Sequence, residues 1–466
     1  MTAPLEFDVI VIGAGPAGTA AALRAADLGA KTALITRGAF GGMAANEGPI
    51  PVRTLAHAAR LIREAHQLPD YGIAAERPSL DYRRLLERAR EVVAEARGHS
   101  TLLKQITDAG CVLFEHSGRA SFVDAHTIRS ERAPTLVARR IVICSGGVSR
   151  SLNVPGAELT VTPADAFTLT ALPKSLVVIG AGATGVQVAS IFNALGSSVT
   201  LCQAGPRIIP TEDVDVCDEV ANAFREDGIS VLENCRIVGF EAMPSGVSVK
   251  LSEGDAIEAD FAVCAVGWMA DTGSLNLTAA GVQTDQRGFI EVDHYLRTSA
   301  SHIYAAGDVI GHAMLVPQAV RDGFIAGNNA ASAETLRVPA DVEPIGSFTD
   351  PEYARVGLTE AEAHETYGVL CSRASYAETT RPIVDGRTRG FCKLVVDRAS
   401  LKLLGCHIVG ERAVEVAQMA AIAMTAGLTI TDLARIPLSF PTYGNVFGRA
   451  ALRAVRMLGH KGAYDP

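Results

Sequence analysis

Short runs of consecutive apolar residues, rich in valine and isoleucine, recur along the chain and lead into helical patterns. The clearest run covers residues 7–12 and continues through a glycine-rich turn into an alanine-rich helical stretch at 20–28. A second run at 175–179 leads in the same way into a helical stretch at 185–195. Apolar runs of this length, bounded by turn signals, are typical of buried parallel strands. The pattern therefore predicts an α/β protein with two strand–turn–helix units.

Both turns carry the spacing Gly-x-Gly-x-x-Gly, at Gly13, Gly15 and Gly18 and again at Gly180, Gly182 and Gly185. In this spacing the first glycine permits a tight turn, the second lets the backbone approach a pyrophosphate, and the third lets the helix pack closely on the strand. The N–H groups at the start of the helix then meet the phosphates. One such motif alone also fits an ordinary βα turn, but two complete units favour two dinucleotide-binding folds.

The residue that closes the second strand of each unit bears on ribose recognition. Such strands usually end in an acid that binds the ribose hydroxyls, whereas this chain has Thr36 and Gln203 there. Threonine binds a hydroxyl without charge assistance. Glutamine does not hold a 2′-hydroxyl as strongly as a carboxylate does, and it does not repel a 2′-phosphate. Arg207 follows closely and is a candidate to bind such a phosphate, and an ordinary surface arginine is an equal interpretation. The sequence leaves NADPH and NADH both open and favours acceptance of NADPH.

Composition narrows the possible partners. The formal net charge of -9 and the lack of a basic stripe argue against nucleic acid or an anionic membrane as a partner. No apolar run is long enough to span a bilayer and the N-terminus has no signal-peptide pattern, so we expect a cytoplasmic protein. The nine cysteines have no Cys-x-x-Cys spacing. We expect buried reduced thiols and no metal site.

Three further segments stand in a characteristic order: Gly-Gly-Met-Ala-Ala-Asn-Glu-Gly-Pro-Ile-Pro-Val-Arg at 41–53, Ile-Val-Ile-Cys-Ser-Gly at 141–146, and Ile-Tyr-Ala-Ala-Gly-Asp at 303–308. Together with the two glycine motifs they resemble the flavoprotein disulfide reductases, such as dihydrolipoamide dehydrogenase, glutathione reductase and mercuric reductase. The resemblance covers nearly the whole chain. It implies bound FAD, with Asp308 accepting a hydrogen bond from the ribityl chain and Gly307 allowing close backbone approach. It places three further glycines at the cofactors, namely Gly42, Gly146 and Gly267.

The resemblance also implies a domain order. Residues 1–152 form the first part of an FAD-binding domain, 153–272 an NAD(P)-binding domain, 273–343 the second part of the FAD-binding or central domain, and 344–466 an α+β dimerisation domain. A homodimer follows from the last. Within this domain the pattern predicts three strands, at 345–349, 390–397 and 401–410, followed by two helices, at 413–426 and 431–436.

The residues that perform thiol chemistry in that family are replaced. The family segment has two cysteines and a lysine, and this chain has Ala44, Pro49 and Arg53 at those positions. Neither alanine nor proline can form a thiolate or a disulfide. The glutamate that pairs with the family's lysine is Gln187 here. Arg53 beside the flavin is implied by the resemblance, and a surface arginine on a helix is the alternative.

The family's C-terminal acid/base pair is replaced as well. In that family a His-Pro-Thr segment supplies a histidine to the partner subunit's site, with a glutamate five residues later. The corresponding residues are Phe440 and Asn445, with Tyr443 between them. Phenylalanine cannot exchange protons, and asparagine cannot balance the charge of an imidazolium.

These replacements argue together against thiol–disulfide exchange. What remains is hydride transfer from NAD(P)H to FAD, followed by release of electrons on a face lined by Ala44, Pro49 and, across the dimer, Phe440 and Tyr443. An apolar, aromatic slot suits a flat small-molecule acceptor such as a quinone. We therefore predict an NAD(P)H:acceptor oxidoreductase. A soluble pyridine nucleotide transhydrogenase and a non-catalytic flavin- or nucleotide-binding protein are the alternatives.

Overall fold

The chain forms two compact units in the computed structural model, which describes residues 3–99, 101–339 and 342–459. Unit 1 comprises residues 1–55, 81–150 and 267–340, and unit 2 comprises residues 56–80, 151–266 and 341–466. None of the described helices is long and apolar enough to cross a membrane.

The strands are numbered in chain order: β1 Leu5–Ile12, β2 Thr32–Ile35, β3 Val112–Phe114, β4 Ala120–Phe122, β5 Thr127–Ser130, β6 Leu136–Ile143, β7 Gly147–Ser149, β8 Ser175–Ile179, β9 Ser198–Cys202, β10 Ser230–Leu232, β11 Ile237–Met243, β12 Gly246–Leu251, β13 Ile257–Ala259, β14 Phe261–Cys264, β15 Trp268–Ala270, β16 Ile303–Ala305, β17 Ile345–Ser347, β18 Tyr353–Gly357, β19 Val369–Ser375, β20 Phe391–Asp397 and β21 Leu403–Val409. The α-helices are α1 Pro16–Asp27, α2 Gly42–Asn46, α3 Pro49–Gln67, α4 Tyr82–His99, α5 Thr101–Asp108, α6 Pro163–Ala166, α7 Ala183–Leu195, α8 Val214–Glu226, α9 Val316–Ala331, α10 Glu360–His364, α11 Thr380–Val384, α12 Ala413–Thr425, α13 Ile430–Leu433 and α14 Asn445–Met457.

Unit 1 is built on a seven-stranded sheet with the order β3-β2-β1-β6-β5-β4, in which β16 also pairs with β6. Strand β1 lies parallel to both β2 and β6. Because parallel strands are covered on both faces, they are apolar throughout, and Val9 to Val11 are at most 1% exposed. Helices α1 and α9 pack on each other. The carboxyl ends of β1, β6 and β16 therefore meet at one edge of the sheet.

Unit 2 contains a parallel four-stranded sheet with the order β10-β9-β8-β14 and an antiparallel three-stranded sheet, β11-β12-β13. Its C-terminal part is a five-stranded antiparallel sheet, β17-β18-β21-β20-β19, on which α12 and α14 pack. The predicted fold class, two Rossmann-like parallel sheets with an α+β C-terminal domain, is confirmed. The predicted domain boundaries stay a prediction, because a division into compact units assigns no cofactor.

The structure contains elements beyond those predicted above. Strands β18 and β19 and helix α14 lie in the C-terminal sheet and on its face. The buried residues of α14 recur at the spacing of an amphipathic helix, so its pattern is sufficient to predict it; they are Val446, Phe447, Ala450, Ala451, Ala454 and Val455. In β19 the buried Ser372 interrupts the apolar alternation, and its hydroxyl donates to the Ala450 carbonyl at 2.8 Å. Helix α4 begins at Tyr82, and residue 100, which follows its last residue, lies outside the described residues.

Candidate functional site

The first glycine motif forms the turn between β1 and α1. Gly13 has φ +103°, and a Cβ there would lie 2.1 Å from the Cys144 carbonyl oxygen. A Cβ on Gly18 would lie 1.7 Å from the Gly13 carbonyl oxygen, so helix and strand touch at this point. At Gly15, by contrast, no described atom lies within 4 Å of the added Cβ. The fold itself requires Gly13 and Gly18, whereas the space beside Gly15 remains for a ligand.

The second motif repeats this arrangement between β8 and α7. A Cβ on Gly180 would lie 2.5 Å from the Ala265 carbonyl oxygen, and one on Gly185 would lie 1.8 Å from the Gly180 carbonyl oxygen. Gly182 again has no described atom within 4 Å of an added Cβ. No described side chain caps the start of α7 or of α1. Both helices therefore present N–H groups beside the open glycine, as dinucleotide phosphates require.

Two polar side chains near the first motif have buried atoms without a partner. Asn46 donates to the Gly42 carbonyl at 2.7 Å, and a Cβ on Gly42 would lie 2.7 Å from the Gly15 Cα, which brings this loop against the motif. The Asn46 Oδ1 and the Ser145 hydroxyl have no hydrogen-bond partner among the described residues. A buried polar atom costs free energy unless it is hydrogen-bonded. These atoms indicate that a polar ligand completes this part of unit 1.

Asp308 and Gly307 lie at the same edge of the sheet, directly after β16. Gly307 has φ +79°, and its added Cβ would lie 2.9 Å from the Ala17 Cβ at the start of α1. Burial raises the pKa of the Asp308 carboxyl, and no residue that the structure describes donates a hydrogen bond to it. A ligand hydroxyl would satisfy this carboxylate. These residues fit FAD: the space beside Gly15 would admit its pyrophosphate and Asp308 would accept a hydrogen bond from its ribityl chain, and both contacts stay predictions.

Three other predicted cofactor-binding residues, Gly146, Gly267 and Thr36, lie close to this edge. Gly146 follows β6 with φ +82°, and Gly267 precedes β15 with φ +117°; neither has a described atom within 4 Å of an added Cβ. Thr36 follows β2 and is 7% exposed. The next residue, Arg37, pairs with Asp271 at 3.2 Å. The structure thus places Thr36 at the strand end as the pattern predicts, although its contact with a ribose stays a prediction.

In unit 2, Gln203 follows β9, and its Oε1 accepts the Ala181 N–H at 3.1 Å. Arg207 has a half-exposed side chain 3.7 Å from the Asp218 carboxylate. Gln187 on α7 donates to the Ala183 carbonyl of its own helix at 3.1 Å. Arg53 is an exposed residue of α3. The structure therefore brings Gln203 against the glycine motif, and the roles of Arg53 and Gln187 stay predictions.

The segment before α14 is held by side-chain contacts that the sequence did not indicate. The Tyr443 hydroxyl donates to Asp385 at 2.7 Å, and Asn445 accepts the Thr442 N–H at 2.8 Å. Phe440 is 75% exposed. A cavity of about 460 Å³ lies beside this segment, with Tyr443 and Met419 among its lining residues. Asn445 thus fixes the backbone, and the fixed segment presents the Phe440 ring to solvent.

The cysteines are nine free thiols, of which Cys235 and Cys371 are partly exposed. Burial, followed by the neighbouring Glu360 carboxylate, raises the pKa of Cys371 to about 12. A cluster of three carboxylates, Asp213, Asp215 and Glu360, has a spacing that could hold a metal ion. However, the Lys393 Nζ lies 2.9, 2.9 and 2.5 Å from these carboxylates. The ammonium group already supplies the cation that the cluster requires.

The geometry of both units defines a class of protein. Residues 7–323 match the pyridine nucleotide-disulphide oxidoreductase family, and residues 344–451 match the dimerisation domain of that family. The chain therefore belongs to the pyridine nucleotide-disulphide oxidoreductases. Members of this family use FAD and NAD(P)H, which confirms the predicted cofactors. The dimerisation domain supports the predicted homodimer.

Individual relatives align with more than nine-tenths of this chain. Dihydrolipoyl dehydrogenase of Chlorobaculum tepidum is 32% identical over 470 residues, covering 98% of this chain and 99% of the relative. Mercuric reductase of Bacillus cereus is 33% identical over 437 residues, covering 92% of this chain and 68% of the relative. A solved structure, the HOCl-induced flavoprotein disulfide reductase RclA from Escherichia coli, superposes with a TM-score of 0.85 at 26% identity and covers 96% of this chain and 99% of that one. The resemblance read from the motifs is confirmed.

Proposed function

We propose that this protein is an FAD-dependent NAD(P)H:acceptor oxidoreductase that reduces a flat acceptor such as a quinone without a disulfide relay. The observation that carries the proposal is the lack of cysteine in residues 41–53, where Ala44 and Pro49 occupy the positions of the family's redox thiols. Cys371 offers no substitute, because a thiol with a pKa of about 12 stays protonated at neutral pH.

The flavin side of the proposal rests on unit 1. When bound, FAD accepts a hydride from NAD(P)H and passes the electrons on. Gly15 and the N-terminus of α1 would bind its pyrophosphate, and Asn46 and Ser145 would direct their unpaired polar atoms towards it. A hydroxyl of the ribityl chain would donate a hydrogen bond to Asp308. This bond would stabilise the carboxylate form, which burial disfavours.

The nicotinamide side rests on unit 2, where Gly182 and the N-terminus of α7 would hold the second pyrophosphate. The family pairs a lysine with a glutamate near the flavin, and this chain has Arg53 and Gln187. We propose that this double replacement keeps one cation and removes one carboxylate at the positions of the family's pair.

The acceptor side rests on aromatic and apolar residues. We propose that Ala44 and Pro49, with the partner subunit's Phe440 and the partner subunit's Tyr443, form the surface on which the acceptor stacks. The Tyr443 hydroxyl is engaged by Asp385, so its ring is the part proposed to contact the acceptor. A ring stack binds a planar molecule through its faces, and quinone reduction requires little acid/base help from side chains.

The test is anaerobic stopped-flow mixing of the flavin-containing protein with NADH and, separately, NADPH, followed by menadione. We expect the flavin band to bleach without a long-wave thiolate–flavin absorption and to return when the quinone is added. Phe440→Ala should slow re-oxidation by menadione about tenfold, the loss of one good stacking contact, and leave bleaching unchanged. Tyr367→Ala is the matched control, since this aromatic of unit 2 is also exposed, at 41%.

Other outcomes decide between the alternatives. Re-oxidation by a second oxidised pyridine nucleotide and not by menadione would replace the proposal with a transhydrogenase. Protein without flavin, or flavin that neither nucleotide bleaches, would leave a binding protein. Loss of turnover after alkylation of the thiols, with the flavin still bound, would show that a cysteine carries electrons and would overturn the disulfide-free mechanism.

A further inference from the structure

Two cysteine thiols of unit 2 lie side by side at the end of β9. We propose that Cys202 and Cys235 form a dithiol that a hydroperoxide oxidises reversibly to a disulfide, which makes this pair a modification site. The inference does not depend on the proposed function, because neither cysteine is placed on the path of electrons from NAD(P)H to the acceptor.

The backbone holds the two cysteines next to each other. Cys202 is the last residue of β9, and its register partner in β10 is Leu232. The Gln203 N–H donates to the Leu232 carbonyl at 2.8 Å, and the Gln203 carbonyl accepts the Cys235 N–H at 2.8 Å. The pairing of the two strands thus continues into the loop that follows β10, and it sets Cys235 beside Cys202.

The side chains of both cysteines belong to the same apolar cluster and contact each other. Cys202 is one of the buried residues of this cluster, and Cys235 packs against it as a partly buried residue. A hydrogen bond joins the two thiols, and burial, followed by the neighbouring Cys235, raises the pKa of the Cys202 thiol. A disulfide then requires a further approach of the two sulfur atoms, which rotation of the side chains can supply.

Access of an oxidant distinguishes this pair from a second close pair of thiols. The Sγ atoms of Cys392 and Cys406 lie 3.9 Å apart, but both residues are 0% exposed. In the proposed pair Cys235 is partly exposed, whereas Cys202 is 1% exposed. Oxidation of a thiol follows its exposure and its thiolate character. A hydroperoxide therefore reaches Cys235 first, and Cys202 is the thiol that closes the bridge.

The oxidation balances with a hydroperoxide as the oxidant. The Cys235 thiolate attacks one peroxide oxygen and the O–O bond breaks. The products are a sulfenic acid on Cys235 and, with the proton that the thiol released, an alcohol or water. The Cys202 sulfur then attacks the sulfenic sulfur, the S–O bond breaks, and the displaced hydroxide leaves as water with the Cys202 proton. The two thiols lose two electrons and the peroxide gains them, and a dithiol reductant reverses the change by thiol–disulfide exchange.

The bridge would fix the strand end that supports the second glycine motif. The Cys202 carbonyl accepts the N–H of Gly180, the first glycine of that motif, at 2.8 Å. A disulfide between Cys202 and Cys235 closes a loop of chain that contains α8 and β10. Because such a closed loop restricts the unfolded chain, the oxidised protein should unfold at a higher urea concentration than the reduced protein.

The experiment treats the flavin-containing protein with hydrogen peroxide, blocks the remaining thiols with N-ethylmaleimide and maps the tryptic peptides without reduction. The sequence makes the assignment unambiguous, because peptide 175–207 has Cys202 as its one cysteine and peptide 226–236 has Cys235 as its one cysteine. We expect these two peptides to be linked and dithiothreitol to separate them. Cys235→Ser should abolish the link and leave menadione turnover unchanged. Cys371→Ser is the matched control, since it removes another partly exposed thiol and should keep the link.

A second variant tests the order of the two steps. In Cys202→Ala no thiol closes the bridge, so Cys235 should accumulate as a sulfenic acid and be trapped as its dimedone adduct. Unlinked peptides in the peroxide-treated wild type would overturn the inference, as would a link between Cys392 and Cys406 in place of this one, or loss of the link in Cys371→Ser. An oxidised wild type that unfolds at the same urea concentration as the reduced protein would also contradict it. Loss of menadione turnover in Cys235→Ser would overturn the separation of this pair from the electron path.

Discussion

Gly182→Ala is expected to stabilise unit 2 and at the same time weaken nucleotide binding. Gly182 has φ -76° and ψ -176°, a conformation that alanine adopts, and no described atom lies within 4 Å of the added Cβ. Replacing glycine at such a position stabilises a protein by about 0.4–1 kcal/mol, because the unfolded chain loses freedom. The same Cβ would occupy the space through which the backbone approaches the pyrophosphate. Losing one hydrogen bond to a charged group costs about 1.5–3 kcal/mol, or roughly tenfold to a hundredfold in Kd.

Urea unfolding and calorimetric titration with 2′-phospho-ADP-ribose measure the two effects separately. Gly368→Ala is the matched control, since this exposed glycine of unit 2 also has no described atom within 4 Å of an added Cβ. Gly185→Ala is the opposite case: its Cβ would lie 1.8 Å from the Gly180 carbonyl oxygen, so we expect destabilisation by about 1–3 kcal/mol or more. Unchanged nucleotide affinity in Gly182→Ala would refute the assignment of this motif.

Three further variants test other parts of the structure. Asp308→Ala should release flavin on dialysis, measured as a fall in the flavin-to-protein absorbance ratio, while the free energy of unfolding stays unchanged. Full retention of the flavin would contradict the proposed hydrogen bond between Asp308 and the ribityl chain. Lys393→Met should lower the free energy of unfolding by about 3–5 kcal/mol, because it leaves the 4%-exposed Asp213 without its cation. Burial would raise the pKa of Asp213, but hydrogen bonds led by that from Lys393 lower it. The stabilisation that the Asp213 carboxylate gains from Lys393 should therefore disappear in the wild type as the pH falls below about 4. If Lys393→Met lowers the free energy of unfolding by less than about 1 kcal/mol, the result would count against this stabilising role. Cys371→Ser should leave menadione turnover unchanged, and a large loss would return a thiol to the mechanism.

The parts of the site that lie within one continuous stretch of sequence could be predicted from the sequence. Each glycine motif lies within a single strand–turn–helix unit, so its spacing alone located Gly15 and Gly182. The contact between Tyr443 and Asp385 and the burial of the Asn46 Oδ1 and the Ser145 hydroxyl could not be predicted, because tertiary packing sets them. Nothing in the local sequence around Asp385 indicates that its carboxylate accepts the Tyr443 hydroxyl. Helix α14 differs from these contacts, because its buried residues have helical spacing and its pattern is sufficient to predict it.

The second glycine of each motif argues against the alternative of a protein that has lost ligand binding. Gly13 and Gly18 are required by packing, since any side chain there would collide with backbone. Gly15 and Gly182 have no such requirement, and alanine at either position would meet no described atom within 4 Å. A glycine kept where it gives the fold no advantage costs about 0.4–1 kcal/mol of stability relative to alanine. Binding of a pyrophosphate at both motifs, as proposed, would account for that cost. In the proposed function the replaced residues, Ala44 and Pro49 among them, concern instead the transfer of electrons to the acceptor.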